Sequence, residues 1–198
     1  MRWDNLFDDL ESQLENELTA EEIDLRAEEE RLRLARLGMR DRLLSLHRGD
    51  DALRTVHLVL RDGSRATVTP STFGRDWFAG ELSEGGRRPP GCVVPLDAVA
   101  GVILNRTQVE ASLDGPAPED PSRSLSARLS LNFVLRDLCR RRQPVELRTD
   151  DGRLFGTLDR VGRDHVDVAV HEAGGPRRES EVTEYRIVRL SQVLLVRL

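Results

Sequence analysis

The sequence predicts an α+β fold that is mainly β, in which a helical arm precedes two small, strongly bent antiparallel barrels. Three observations predict this fold. Apolar residues in the first 48 positions follow helical spacing. Apolar and polar residues then alternate in short runs that end at Gly, Asp or Pro, as in strands with one buried face. Finally, one set of sequence anchors occurs twice in the same order.

The helical arm is predicted over residues 1–48. Thr19 and Glu22 form a capping box, which marks a helix start. Apolar side chains then recur every seven residues from Leu25 to Leu46. This short heptad pattern fits two structures, a helix packed on its own domain or an intermolecular coiled coil, and the sequence does not choose between them.

The strand-rich remainder contains an internal repeat. Each copy has an Asp-Gly hairpin, a Gly-Arg-Asp motif and a late apolar strand. The matched positions are Gly63 with Gly152, Gly74 with Gly162, and Val94 with Val188, at offsets of 89, 88 and 94 residues. Asp-Gly between alternating runs is typical of a tight hairpin. Copies of this length, built from short strands, predict a small bent barrel each.

The predicted segments follow from these patterns. The arm covers residues 1–48, the first barrel 53–108, a Pro-rich linker 109–123, and a helix with the second barrel 124–198. Ser124 can cap this helix, which continues to about Arg142 because Pro144 cannot extend it. The spacing places Leu131, Val134, Leu135 and Leu138 on its buried face.

Charge and composition exclude several functions. All 30 basic side chains are arginine, which excludes Schiff-base and phosphate-loop lysines. The net charge is −5, residues 1–30 alone sum to −10, and the remainder is therefore slightly basic. The sequence has no secretory pattern and no apolar run near the roughly 18 residues that span a bilayer, so a cytoplasmic protein without membrane contact is expected.

The sequence predicts no enzyme, cofactor or metal site. No recognisable motif pairs a nucleophile with a base. On a strand, His165 and His171 would stand roughly 20 Å apart, too far to share one metal ion. Trp77 and Phe78 fit two roles, a platform on which a base stacks or a plug at a barrel end or interface.

The second copy resembles a known family. Phe133-Val-Leu-Arg-Asp-Leu138, the run from Cys139 to Val145, and Asp151-Gly152-Arg-Leu-Phe-Gly156 resemble bacterial Hfq and the wider Sm-like family. The resemblance covers residues 125–198, and a diverged first copy lies at about 53–105. It implies a helix followed by a five-stranded bent sheet in each barrel, and it implies RNA binding.

The same resemblance implies a basic rim at the end of the helix, where Arg140 and Arg142 match the family pattern and Arg141 adds charge. Arg136 and, about two turns earlier, Arg128 can project from the same helix and bind phosphates. The predicted nucleic-acid site is therefore Arg128, Arg136, Arg140, Arg141 and Arg142. Two structural alternatives remain, a solvated helix end that interacts with the helix dipole or a surface that docks the acidic residues 8–30.

The sequence thus predicts a non-catalytic regulatory protein of the cytoplasm that binds RNA or DNA through an arginine-rich helix. The alternative is a protein-interaction adaptor that uses its acidic N-terminal helices. In that case residues 5–47 bind a protein partner or a second copy of the chain.

Overall fold

A computed structural model describes residues 22–84, 86, 88–114, 125–172 and 179–198. The chain divides into two compact units, Met1–Gly38 and Met39–Leu198. In the first unit residues 22–36 form helix α1. Exposed ion pairs one turn apart, such as Arg33 with Glu30, lie along this helix. Residues 1–21 of the predicted arm, which include the capping residue Thr19, lie outside the described residues.

The helices of the second unit are short. They are α2 (Met39–Arg48), α3 (Asp51–Arg54), α4 (Arg106–Leu113), α5 (Leu125–Arg128) and α6 (Leu131–Arg140). Asn105 and Gln108 form a capping box at the start of α4. Helix α4 therefore occupies the first five residues of the predicted linker. None of the described helices is long and apolar enough to cross a membrane.

The second unit has ten strands, five in its first half (residues 39–113) and five in its second half (residues 125–198). The strands of the first half are β1 (Val56–Leu60), β2 (Arg65–Phe73), β3 (Trp77–Leu82), β4 (Gly91–Pro95) and β5 (Val99–Ile103). Those of the second half are β6 (Pro144–Thr149), β7 (Gly152–Val161), β8 (His165–Val170), β9 (Glu184–Arg189) and β10 (Val193–Arg197).

All ten strands belong to one sheet, in the order β5-β1-β2-β3-β4-β10-β6-β7-β8-β9, and every pair is antiparallel. The predicted α+β, mainly β class is confirmed. Two separate barrels are not confirmed, because β4 pairs with β10 and joins the halves into a single sheet. Among the residues that the structure describes the sheet is open, with β5 and β9 at its edges. Pairing of β4 with β10 satisfies backbone groups that two isolated halves would expose.

The predicted hairpin glycines lie at the expected turns. Gly63 and Gly152 have φ angles of 81° and 128°, a region that side-chain-bearing residues rarely adopt. Gly63 lies between the first two strands of its half, and Gly152 is the first residue of the second strand of its half. Pro70 lies within β2 beside a bulge, which is where a residue without a backbone N–H is tolerated in a strand.

The hydrophobic core of the described residues consists of two clusters, one that includes α2 and one that includes α6. Leu43 and Leu46 of α2 pack in the first cluster, and Leu131, Leu135 and Leu138 of α6 pack in the second. The predicted buried face of α6 is therefore correct for these three leucines, and Val134 is partly buried. Full burial of one leucine contributes about 1.5–3 kcal/mol, so each helix is held mainly by this face.

Each half of the sheet also contributes to the core of the other half. Trp77 and Val93 belong to the first half but pack in the second cluster. Leu194 and Leu195 belong to the second half but pack in the first cluster. The two halves therefore share their apolar packing across the pairing of β4 with β10.

Candidate nucleic-acid interface

The arginine-rich segment is split by a turn. One helix from residue 124 to 142 was expected, but α5 ends at Arg128 and α6 begins at Leu131. The carboxylate of Asp76, on the loop before β3, accepts a hydrogen bond from the Leu131 backbone N–H at 2.8 Å. This contact satisfies one of the free N–H groups in the first turn of α6. Arg128 therefore lies on α5, whereas Arg136 and Arg140 lie on α6, and Arg141 and Arg142 follow the end of α6.

The chain reverses direction just after α6. Arg142 has a φ angle of 53°, in the left-handed region, and its backbone N–H donates to the carbonyl of Cys139. Pro144 then begins β6. This turn aims the Arg142 guanidinium at β7, where its Nη1 lies 2.7 Å from Oδ1 of Asp159. The last arginine of the predicted cluster thus links the helix end to the sheet.

Ion pairs engage three of the five predicted arginines. Besides Arg142, both Arg140 and Arg141 contact Asp137, each at 2.7 Å. The hydrogen bond from Arg140, supported by the charge of Arg141, holds the pKa of the Asp137 carboxyl below its ordinary value. Exposed pairs of this kind contribute little stability, so these arginines remain able to exchange Asp137 for another anion.

The other two predicted arginines are exposed. Arg136 lies on the solvent side of α6, opposite the buried leucines, and Arg128 lies on α5. Within the described residues neither guanidinium has an ion-pair or hydrogen-bond partner. The structure therefore places Arg136, Arg140, Arg141 and Arg142 along one helix and its end, and Arg128 on the preceding short helix.

A groove of about 520 Å³ extends this surface beyond the predicted residues. Its lining is Arg142, Asp159, Arg160, Asp167, Tyr185, Arg186 and Ile187. Arg160 projects into solvent, 3.6 Å from Asp167, and Arg186 contacts Glu184. Sequence reasoning did not include Arg160 or Arg186, because their proximity to Arg142 depends on the pairing of β7, β8 and β9.

A second charged cluster lies where β4, β10 and β6 meet. Glu146, whose side chain is only 3% exposed, contacts Arg197 at 2.9 Å. Arg197 also contacts Glu84 at 3.1 Å, and Arg148 contacts Glu84 at 3.0 Å. Glu84 follows β3 of the first half, so this network joins the two halves. Its carboxylates offset the arginines, which suits a structural role better than phosphate binding.

The remaining candidates for chemistry have structural environments. Trp77 and Phe78 are buried, and the Trp77 indole N–H donates to the carbonyl of Leu129 at 3.0 Å. Trp77 packs in the second cluster and Phe78 in the first, and their burial contradicts the base-stacking alternative. His165 contacts Asp164, and His171 is buried. No group of three His, Cys, Asp or Glu side chains in the described part of the chain is arranged to hold a metal ion.

Comparison with known proteins adds no assignment. No protein-family model matches the chain, and no curated protein or solved structure gives a significant match. The resemblance to the Sm-like family therefore stays a prediction from residues 125–198, to be weighed with the geometry of this surface.

Proposed function

We propose that this chain is a non-catalytic regulatory protein with two Sm-like repeats that binds single-stranded nucleic acid, RNA in particular. The binding surface is the end of α6 together with the neighbouring groove. The observation that carries the proposal is the groove that brings Arg142, Arg160 of β7 and Arg186 of β9 together directly after α6, the helix that carries Arg136 and Arg140. Six arginines are therefore assigned to the binding surface. They are Arg136, Arg140, Arg141, Arg142, Arg160 and Arg186.

Strand order supports the two Sm-like repeats. The first half has the order β5-β1-β2-β3-β4, and the second half has the matching order β10-β6-β7-β8-β9. A ten-residue helix precedes the strands of each half, α2 in the first and α6 in the second. This arrangement agrees with the helix and five-stranded bent sheet that the resemblance implies. Bulges in β2 and β7 provide the bending.

Binding is expected to depend mainly on phosphates. Arginine presents a planar fork of donors that matches two phosphate oxygens, and it stays charged at any physiological pH. Asp137 and Asp159 hold three of the arginines in defined positions while no nucleic acid is bound. Phosphate oxygens then replace these carboxylates as acceptors. Such a surface gives broad rather than base-specific recognition.

The test is the salt dependence of binding to a short oligouridine and to single-stranded DNA of the same length. A variant with Arg136→Gln, Arg140→Gln and Arg142→Gln is expected to bind at least tenfold more weakly. Its plot of log affinity against log salt should also be less steep by about 2, since each phosphate contact contributes roughly 0.7 for single strands. Arg106→Gln, at an exposed side chain of α4, is the control for removal of an arginine elsewhere. Absence of binding at low salt, or an equal loss in the control, would contradict the proposal.

An adaptor role is the second candidate, because α1 exposes apolar side chains. The side chains of Ile23, Leu25 and Leu32 on this helix are at least half exposed. They are suited to packing against another helix. Leu25→Asp combined with Leu32→Asp should then abolish capture of a helical partner while leaving oligouridine binding unchanged.

A further inference from the structure

Helix α6 exposes a phenylalanine at a position where its amphipathic pattern predicts a polar residue. Leu131, Leu135 and Leu138 form the buried face of this helix. At 3.6 residues per turn, Phe133 lies on the side almost opposite these leucines, and it is 55% exposed. A large aromatic side chain in the middle of a solvent-facing surface breaks the helical pattern, and such exceptions are expected at functional sites.

Two arginines share this exposed face with Phe133. Arg136 and Arg140 follow it by three and seven residues, which places them about one and two turns further along the same side of α6. Helical side chains lean toward the start of their helix, so Arg136 is directed back toward the turn that carries Phe133. Arg140 shows this lean, since its Nη2 lies 2.7 Å from Oδ1 of Asp137. The aromatic ring therefore lies beside positive charge.

Positive charge also lies near the start of α6. The side-chain amide of Asn132, the residue before Phe133, donates to the backbone carbonyls of Gly162 and Arg163 at 3.2 and 2.9 Å. These two hydrogen bonds hold the turn between β7 and β8 against the first turn of α6. Arg163 is exposed in that turn. Arginines thus lie on both sides of Phe133 along the helix, Arg163 near its start and Arg136 one turn later.

An exposed aromatic ring between arginines fits the chemistry of a single nucleic-acid strand. Each base has a flat face that can stack on such a ring, and guanidinium groups bind the phosphates before and after it. In a duplex the bases are paired and stacked on one another, so they reach the ring only after unpairing. Phosphate contacts carry no such information, because both forms present phosphates to the arginines.

We propose that Phe133 is a base-stacking residue that makes the arginine surface selective for single strands. One unpaired base stacks on the phenyl ring, Arg136 binds a neighbouring phosphate, and Arg163 binds the phosphate on the other side. This inference rests on the proposed function and extends its surface from the end of α6 to its start. Because stacking accepts every base, the selectivity is for unpaired bases and not for a particular sequence.

The first test compares three DNA probes of equal length: an oligothymidine, a duplex, and an abasic strand that has phosphates but no bases. Phe133→Ala is expected to bind oligothymidine roughly fivefold to a hundredfold more weakly than the wild type. Its affinity for the duplex and for the abasic strand should not change. Its salt dependence with oligothymidine should also be unchanged, because no phosphate contact is lost. Leu125→Ala, which removes another exposed apolar side chain, is the control.

The second test uses Phe133→Trp, which keeps an aromatic ring at this position and should bind oligothymidine at least as tightly as the wild type. A base stacked on an indole ring quenches its fluorescence. The emission that Phe133→Trp adds to that of the wild type should therefore fall when oligothymidine binds, and it should not fall when the abasic strand binds.

Two results would overturn the stacking role. One is equal affinity of Phe133→Ala and the wild type for oligothymidine, which would leave a protein contact as the role of the exposed ring. The other is an equal loss of affinity for the abasic strand, which has no base to stack. A wild-type chain that binds none of the three probes would overturn the proposed function as well, so the two failures are distinguishable.

Discussion

At the scale of single residues, the two cysteines have different surroundings. Cys92 is fully buried in β4, and this burial raises the pKa of its thiol to about 12. Cys139 is half-buried at the end of α6. Because the thiolate is the reactive form, Cys92 remains protonated and unreactive at mildly alkaline pH.

We therefore expect iodoacetamide to leave Cys92 unmodified in the folded protein, where only Cys139 can react. In urea we expect both cysteines to be modified. Mass spectrometry of the modified peptides measures this directly. No variant is needed, because the denatured sample is the control for the folded one. Rapid modification of Cys92 under native conditions would contradict its burial.

Asp137 is the residue that restrains the candidate interface, since it pairs with both Arg140 and Arg141. Asp137→Asn removes one negative charge and frees these guanidinium groups. We expect tighter binding to oligouridine by roughly threefold to tenfold, with a salt dependence that is steeper. Anisotropy titrations would measure both, with Asp97→Asn, at an exposed residue of a short 3-10 helix, as the control.

The lowered pKa of Asp137 gives the same prediction a pH dependence. Its carboxylate stays charged at neutral pH and is neutralised only as the pH falls through this lowered pKa. The restraint on Arg140 and Arg141 is therefore present across the neutral range and lost in acid. The ratio of the affinity of the Asp137→Asn variant to that of the wild type should therefore stay nearly constant between pH 6 and pH 8. A large change in this ratio would contradict the assignment.

At the scale of elements, Asp76 fixes the start of α6 from a distant loop. Asp76→Ala leaves the Leu131 N–H without this acceptor, and loss of a helix cap costs about 1 kcal/mol. Urea unfolding should show this decrease in the free energy of unfolding. Asp97→Ala, on an exposed turn, should leave stability within about 0.5 kcal/mol of the wild type.

Local patterns predicted the elements whose cause is local. The buried leucines of α6 follow helical spacing, and the turns at Gly63 and Gly152 follow from Asp-Gly. The sequence pattern did not predict the break between α5 and α6. Asp76, which accepts the hydrogen bond from the Leu131 N–H at the start of α6, lies more than fifty residues away in the sequence. Helix α4 was missed because its capping pair adjoins a Pro-rich stretch that suggested a linker throughout.

The sequence pattern also did not predict that β4 pairs with β10. Both strands are apolar on nearly every residue, so alternation does not show which face or edge is covered. At the candidate interface the arginines were predicted, and Asp137 could have been, since it lies three and four residues before Arg140 and Arg141. The partnership of Arg142 with Asp159 required the turn after α6.

At the scale of the whole molecule, the charged network around Glu146 connects the two halves. Glu146→Ala would leave Arg197 and its neighbours without their buried carboxylate, which typically costs about 3 kcal/mol. Urea unfolding would measure the loss, and Glu184→Ala is the control, because its pair with Arg186 is exposed. An equal effect of the two substitutions would contradict the structural role of the network.

The position of β10 has a consequence for the order of folding. This strand comes last among the ten in the chain but lies in the middle of the sheet. About a hundred residues separate β4 from its partner β10 in the sequence. During synthesis the first half therefore leaves the ribosome before β10 can cover the apolar edge at β4. We therefore expect the two halves to unfold as one cooperative structure only when β10 is present and paired with β4.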